Sequence, residues 1–142
     1  MEKNKGVYVY IFFFLAVLNC PGQDTVYIDP GNTGDPQKDG TYNHPFAEWD
    51  DFEKEDSTTY LIKRGTVLKV SEKTIIKDLQ SSIVGAYGSG ERPRIETNAV
   101  VVESCKNLVI KDLEIYADGG HCMEFSNFYP SKNVLIDNCV VH

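Results

Sequence analysis

No apolar run in this chain is long enough to cross a bilayer. The longest, Val7 to Leu18, holds 12 residues, against the roughly 20 that a spanning helix needs. Cysteine is scarce, with four in 142 residues, and none of them have the close spacing of a metal-binding pair. Positive charge is short as well: 14 Lys and Arg stand against 21 Asp and Glu, a net charge of −7. Nucleic-acid binding needs a basic face and a basic balance, so that partner is argued against. The last absence is a C-terminal cap, because nothing after Val141 has the length to form one.

What stands there instead is a repeat. "KNLVIKDLEI" begins at Lys106 and "KNVLIDNCVV" begins at Lys132. Overlaid, Leu108 meets Val134, Ile110 meets Ile136, Asp112 meets Asn138, Leu113 meets Cys139 and Ile115 meets Val141. Apolar residues alternate along each copy, as on one face of a strand, and a turn-prone Asp or Asn divides each copy into two strands. A third strand precedes each copy, "AVVVES" at Ala99 and "CMEFSN" at Cys122, where Val100 and Val102 correspond to Met123 and Phe125. A repeat of this period marks a solenoid, in which one coil cannot bury its own apolar face and stacks on the next.

The stretches "YLIKRGTVL" from Tyr60 and "IVGAYGSGERPRI" from Ile83, followed by coils beginning "KNLVI", resemble the start of secreted bacterial β-helix proteins of the pectin-lyase-like superfamily. The resemblance covers roughly Val26 to His142. It implies an all-β, right-handed parallel β-helix with a short N-terminal cap helix. It leaves the reaction open, because the superfamily includes polysaccharide lyases, glycoside hydrolases, epimerases and adhesins without catalysis. With about three coils and no cap, the sequence reads as an N-terminal fragment of a longer β-helix, expected to be inactive by itself because a solenoid groove is assembled from several successive coils; the alternative is a short chain that caps itself by dimerising.

Three regions follow. Residues 1–22 have Lys3 and Lys5 before the apolar run and read as a secretory signal. Cleavage falls either before Cys20, which would then carry a lipid anchor to a bacterial membrane, or before Gln23. Residues 23–57 form an N-terminal loop and cap. "DPGNTGDPQKDGTYNHPF" is dense in turn residues, and its acids Asp29, Asp35 and Asp39 are one candidate set of calcium ligands. In "HPFAEWDDFEK", Pro45 can open a helix that lays Phe46, Trp49 and Phe52 over the first coil. Residues 58–142 are the coils. Asp112 and Asn138 stack at a corner, both types tolerating the left-handed conformation. Cys139 takes an inward position, and Cys105 and Cys122 lie too far apart for a disulfide.

The expected partner is an acidic polysaccharide. From Tyr60 to Arg94 there are seven bases against three acids, and Lys63 and Arg64 are the candidate substrate-binding pair; a solvated face that balances the acidic loop is the plainer account. Removal of the proton α to a uronate carboxylate needs a cation to neutralise that carboxylate and a base. On "HCMEFSN" alternation points Met123 and Phe125 inward and Cys122, Glu124 and Ser126 outward. His121 is the candidate base, and Glu124 with Glu103 on the previous coil the candidate calcium ligands. Two functions remain: a polysaccharide lyase acting on a uronate glycan, and a non-catalytic β-helix that binds glycan or serves as a surface scaffold.

Overall fold

The computed structural model describes residues 24–118 and 121–142. The segment 1–22, with Cys20, lies outside them. No helix among the described residues is long and apolar enough to cross a membrane.

The chain is a parallel β-solenoid of about three turns. A half-coil, β1 (Asp24–Ile28), leads into β2 (Thr58–Lys63), β3 (Val67–Lys69) and β4 (Lys73–Lys77), then β5 (Ile83–Tyr87), β6 (Arg94–Thr97) and β7 (Ala99–Glu103). The next coil is β8 (Lys106–Lys111), β9 (Glu114–Ala117) and β10 (Met123–Phe125), and β11 (Lys132–Asp137) and β12 (Val140–Val141) begin another. Stacking gives a first sheet β1-β2-β5-β8-β11, a second sheet β3-β6-β9-β12 and a third sheet β4-β7-β10, all parallel. The repeat pairs as the overlay requires, with Leu108 beside Val134 and Ile110 beside Ile136.

Inward residues stack in columns through the coils. Val26, Tyr60, Val84, Ile110 and Ile136 form one in the first sheet, and Leu68, Ile95 and Ile115 another in the second. Tyr60, Val84, Ile110, Leu68, Ile95 and Ile115 are buried, whereas Ile136 and Phe125 are exposed at the outer edge of their columns. Small polar side chains carry the strands round the tight corners. Thr97 Oγ1 accepts from Thr74 N at 3.1 Å and donates to the Glu72 carbonyl at 2.7 Å. Cys105 is buried and donates to backbone carbonyls, and Cys139 packs against the core; both thiols are pushed up in pKa by burial and both are free. Cys122 also packs against the core rather than pointing outward as its place beside the strand suggested.

The corners concentrate the backbone's left-handed residues. Among the described residues every non-glycine with positive φ falls on one of three lines: Ser57, Ser81, Asn107 and Asn133; Asp78 and Ser104; Asp112 and Asn138. Asn and Asp tolerate this conformation best because their side chains bond locally. Here they also bond between coils, Asn138 Nδ2 donating to Asp112 Oδ1 at 2.7 Å.

The cap differs from the expected helix. Phe46 is held in a parallel bridge to Ile28 and exchanges backbone hydrogen bonds with Tyr27 and Asp29, so the backbone beside Pro45 is already committed to extended pairing. Phe52 is extended too, and only a single 3-10 turn, Trp49–Asp51, remains between them. The aromatic lid forms regardless. Phe46 stacks on Phe52 at 4.7 Å, and Phe52 and Trp49 each lie 5.8 Å from Tyr60. Lys54 sits over the Trp49 and Phe52 rings and donates to their carbonyls, and burial lowers its pKa. Gly40, at φ +80, is required here, since a Cβ would stand 2.5 Å from the Phe46 ring.

Candidate functional site

The residues expected to carry chemistry lie on different faces. On the third sheet the outward column is Ile75, Val101 and Glu124. Glu124 Oε2 accepts from Lys73 Nζ at 3.0 Å. Glu103 pairs in register with Lys77, whose ammonium leans 3.9 Å from Asp78 and over the Tyr129 ring. His121 is exposed just before β10. Among the described residues no three His, Cys, Asp or Glu side chains come together in a way that could hold a metal ion. The loop acids are engaged in bonds within the loop and to the first sheet. Hydrogen bonds from the Gln37 N–H and the His44 ring hold the Asp35 carboxyl below its usual range, those from Thr41 do the same for Asp39, and Asp29 accepts from Lys63 at 2.7 Å.

Lys63 and Arg64 face different carboxylates. Lys63 faces Asp29, and the Arg64 guanidinium lies 3.8 Å from Asp112 at the corner beyond. Of the seven bases in the segment Tyr60 to Arg94, Lys63, Arg64, Lys69, Lys73, Lys77 and Arg94 each lie within 4 Å of a carboxylate. The seventh, Arg92, donates to the Asn138 side chain at 2.6 Å.

The outer face of the second sheet does bring acid-base groups together. Strand alternation leaves two outward columns: Lys69, Glu96 and Tyr116, continued by His142, and Val67, Arg94, Glu114 and Val140. Arg94 sits between the acids, Nη2 at 3.1 Å from Glu114 and Nη1 at 3.7 Å from Glu96, while its buried Nε has no partner. The His142 imidazole is 3.3 Å from Glu114, and its ring centroid is 6.5 Å from that of Tyr116. Lys69 lies 3.4 Å from Glu96. Two open grooves border these columns. One of about 390 Å³ runs along Lys69, Glu96, Asn98, Tyr116 and Asp118, and one of about 360 Å³ along Glu91, Arg92, Glu114 and His142. A guanidinium, a phenol, an imidazole and carboxylates thus stand on successive coils, about 4.8 Å apart. Such a set can bind an anion, accept a proton and return one.

Sequence reasoning passed over this face, although "VLK", "RIE", "EIY" and "VVH" share a signal, an apolar centre between outward residues that are polar on at least one side. Comparison of the chain with family models, with curated proteins and with solved structures finds no match.

Proposed function

We propose that this β-solenoid is an exported carbohydrate-active protein of the pectin-lyase-like type that cleaves an acidic, uronate-bearing polysaccharide by β-elimination on the outer face of its second sheet. One observation carries the reading: Arg94 is held between Glu96 and Glu114, Glu114 also meets the His142 imidazole, and Tyr116 stands with His142 in the adjoining outward column. In the reaction a base takes the proton α to the uronate carboxylate, the freed electron pair forms the carbon–carbon double bond, and the β carbon–oxygen bond to the neighbouring sugar breaks. The departing oxygen then takes a proton. Arg94 supplies the positive charge facing the uronate carboxylate, the part first given to calcium on Glu103 and Glu124. Tyr116 and His142 are the proton acceptor and donor. Residues 1–22 direct export, and Cys20 is the point of lipid attachment.

A second reading, a non-catalytic glycan-binding or scaffold β-helix, is favoured by the cations of the basic segment, six of which already face a carboxylate. Incubation with pectate, alginate and glycosaminoglycans separates the two. Unsaturated uronate products, read by their ultraviolet absorbance, support elimination. Retention on one of these glycans without product supports the scaffold. Fatty-acid labelling that is lost in Cys20→Ala supports the anchor, and unlabelled soluble export places cleavage before Gln23.

A further inference from the structure

We propose that a pocket on the first sheet, floored by Tyr87 and walled by Tyr42, is a binding site for one uncharged pyranose ring. This site is separate from the charged columns and does not depend on the elimination reading. Tyr27 on β1 and Tyr87 on β5 project from the outer face, and the N-terminal loop brings Tyr42 against both. The ring centroids are 5.3 Å apart for Tyr27 and Tyr42, 5.0 Å for Tyr27 and Tyr87, and 5.9 Å for Tyr42 and Tyr87, all edge-to-face. This triad cannot be a cage for a quaternary ammonium. The centre of so tight a triangle is only about 3 Å from each ring centroid, shorter than the roughly 3.5–4.0 Å that a methyl carbon needs from the ring carbons, so a methylated cation does not fit. The ligand therefore lies beside the rings, where Tyr42 remains 66% exposed.

The pocket beside them has a volume of about 240 Å³ and is completed by Asp29, Asn32, Asn43, Pro45 and Lys63. It is smaller than the roughly 300–1,000 Å³ of sites for drug-sized ligands, a size for one ring rather than a chain of them. Its polar groups are those that hydroxyls require. Asp29 accepts, Lys63 donates, and the two are paired at 2.7 Å, so the pocket carries no net charge of its own. An acidic sugar would meet Asp29, and a cationic one Lys63. The Asn43 side-chain amide, which offers both a donor and an acceptor, has no partner among the described residues. Burial keeps the Tyr87 phenol protonated far above neutrality, so it can donate. An apolar ring face on tyrosine with hydroxyls met by a paired acid and base and an amide is the arrangement a neutral sugar fits.

The test uses the intact protein and the methyl glycosides of glucose, galactose, mannose and xylose, with methyl glucuronide as the charged counterpart, followed by saturation-transfer NMR and calorimetry. At least one neutral glycoside should bind in the millimolar range, at least tenfold more tightly than the glucuronide. Tyr42→Ala should weaken it tenfold or more, Asn43→Ala several-fold, and Tyr42→Phe and Lys69→Ala less than twofold. Tyr42 is largely exposed, so an unchanged far-ultraviolet circular dichroism spectrum shows that its loss leaves the fold intact. The proposal is overturned if no neutral glycoside binds, if Tyr42→Ala binds it unchanged, or if the glucuronide binds as well.

Discussion

Asn133 Nδ2 donates to Asn107 Oδ1 at 3.0 Å, one coil apart, with both residues at φ 53. The same amide that bonds to its neighbour belongs to a residue type that accepts the left-handed corner. Asn107→Ala loses both properties. A left-handed non-glycine costs roughly 1–2 kcal/mol, and an exposed hydrogen bond adds about 0.5–1 kcal/mol. Asn107→Ala should therefore lower unfolding stability by about 1.5–3 kcal/mol in urea titration. Asn107→Gly, which restores the backbone freedom but not the bond, should lose less than half as much.

Leu108 and Val134 are partners in register but unequal in burial, since Leu108 is completely enclosed and Val134 only partly so. Truncation of an enclosed leucine costs about 2–5 kcal/mol through lost transfer energy and the cavity left behind. Leu108→Ala should fall in that range. Val134→Ala removes fewer atoms from a looser environment and should cost about 1 kcal/mol or less. Equal losses in denaturant titration would mean that Val134 is as enclosed in solution as Leu108.

These two pairs also show what the sequence made visible. Leu108 over Val134, Ile110 over Ile136 and Asp112 over Asn138 could be read because a repeat places chemically alike residues at one depth of every coil, and the coils then stack. The left-handed line through Ser57 and Ser81 was not legible, because serine occurs in many loops and only its place one coil from Asn107 gives it meaning. The cap helix was read from a three-residue aromatic spacing that the protein satisfies without a helix, through the bridge between Phe46 and Ile28. The charged face was missed for a different reason. Lys69, Arg94, Glu114 and Tyr116 come from strands joined by loops of unequal length, so no fixed period aligns them until the register is known. His121, Glu103 and Glu124 were near one another in the repeat frame, but that frame does not reveal that Lys73, two coils earlier, reaches Glu124.

Tyr87 gives a pH signature. Burial first, then the nearby Asp29 carboxylate and the other tyrosines, push its phenol from 10.0 up to about 12. Below pH 10 the phenol is protonated in both the folded and the unfolded chain. Between 10 and about 12 only the unfolded chain releases the proton, so stability falls as pH rises across that window. A phenolate absorbance titration should show a late phase to which Tyr87 contributes, and Tyr87→Phe should reduce it and flatten the loss of stability between pH 10 and 12. Tyr60, which burial also raises, remains in the variant and marks the phase that persists. A late phase of unchanged size in Tyr87→Phe would show that the phenol is not shielded.

The elimination reading assigns distinct roles to neighbours, and the variants should separate them. Arg94 neutralises a carboxylate, so Arg94→Ala should lower kcat at all pH values, and Arg94→Lys should recover part of it because the charge returns without the planar fork. Removing a proton-transfer group is worth about 10²–10⁴-fold. Tyr116→Phe or His142→Ala should therefore cost at least 10²-fold, and the one acting as base should also remove a limb of the pH–rate profile. Stability is not the cause of such losses, because ion pairs this exposed contribute about 1 kcal/mol or less; denaturant midpoints near the wild-type value would confirm that. Glu124→Gln breaks only the bridge to Lys73, and together with His121→Ala it should leave turnover within about twofold. If the pattern is inverted, with the third-sheet variants inactive and Arg94, Tyr116 and His142 dispensable, the chemistry belongs on the face that holds Glu124. Activity that survives every one of these substitutions would remove both faces from the reaction.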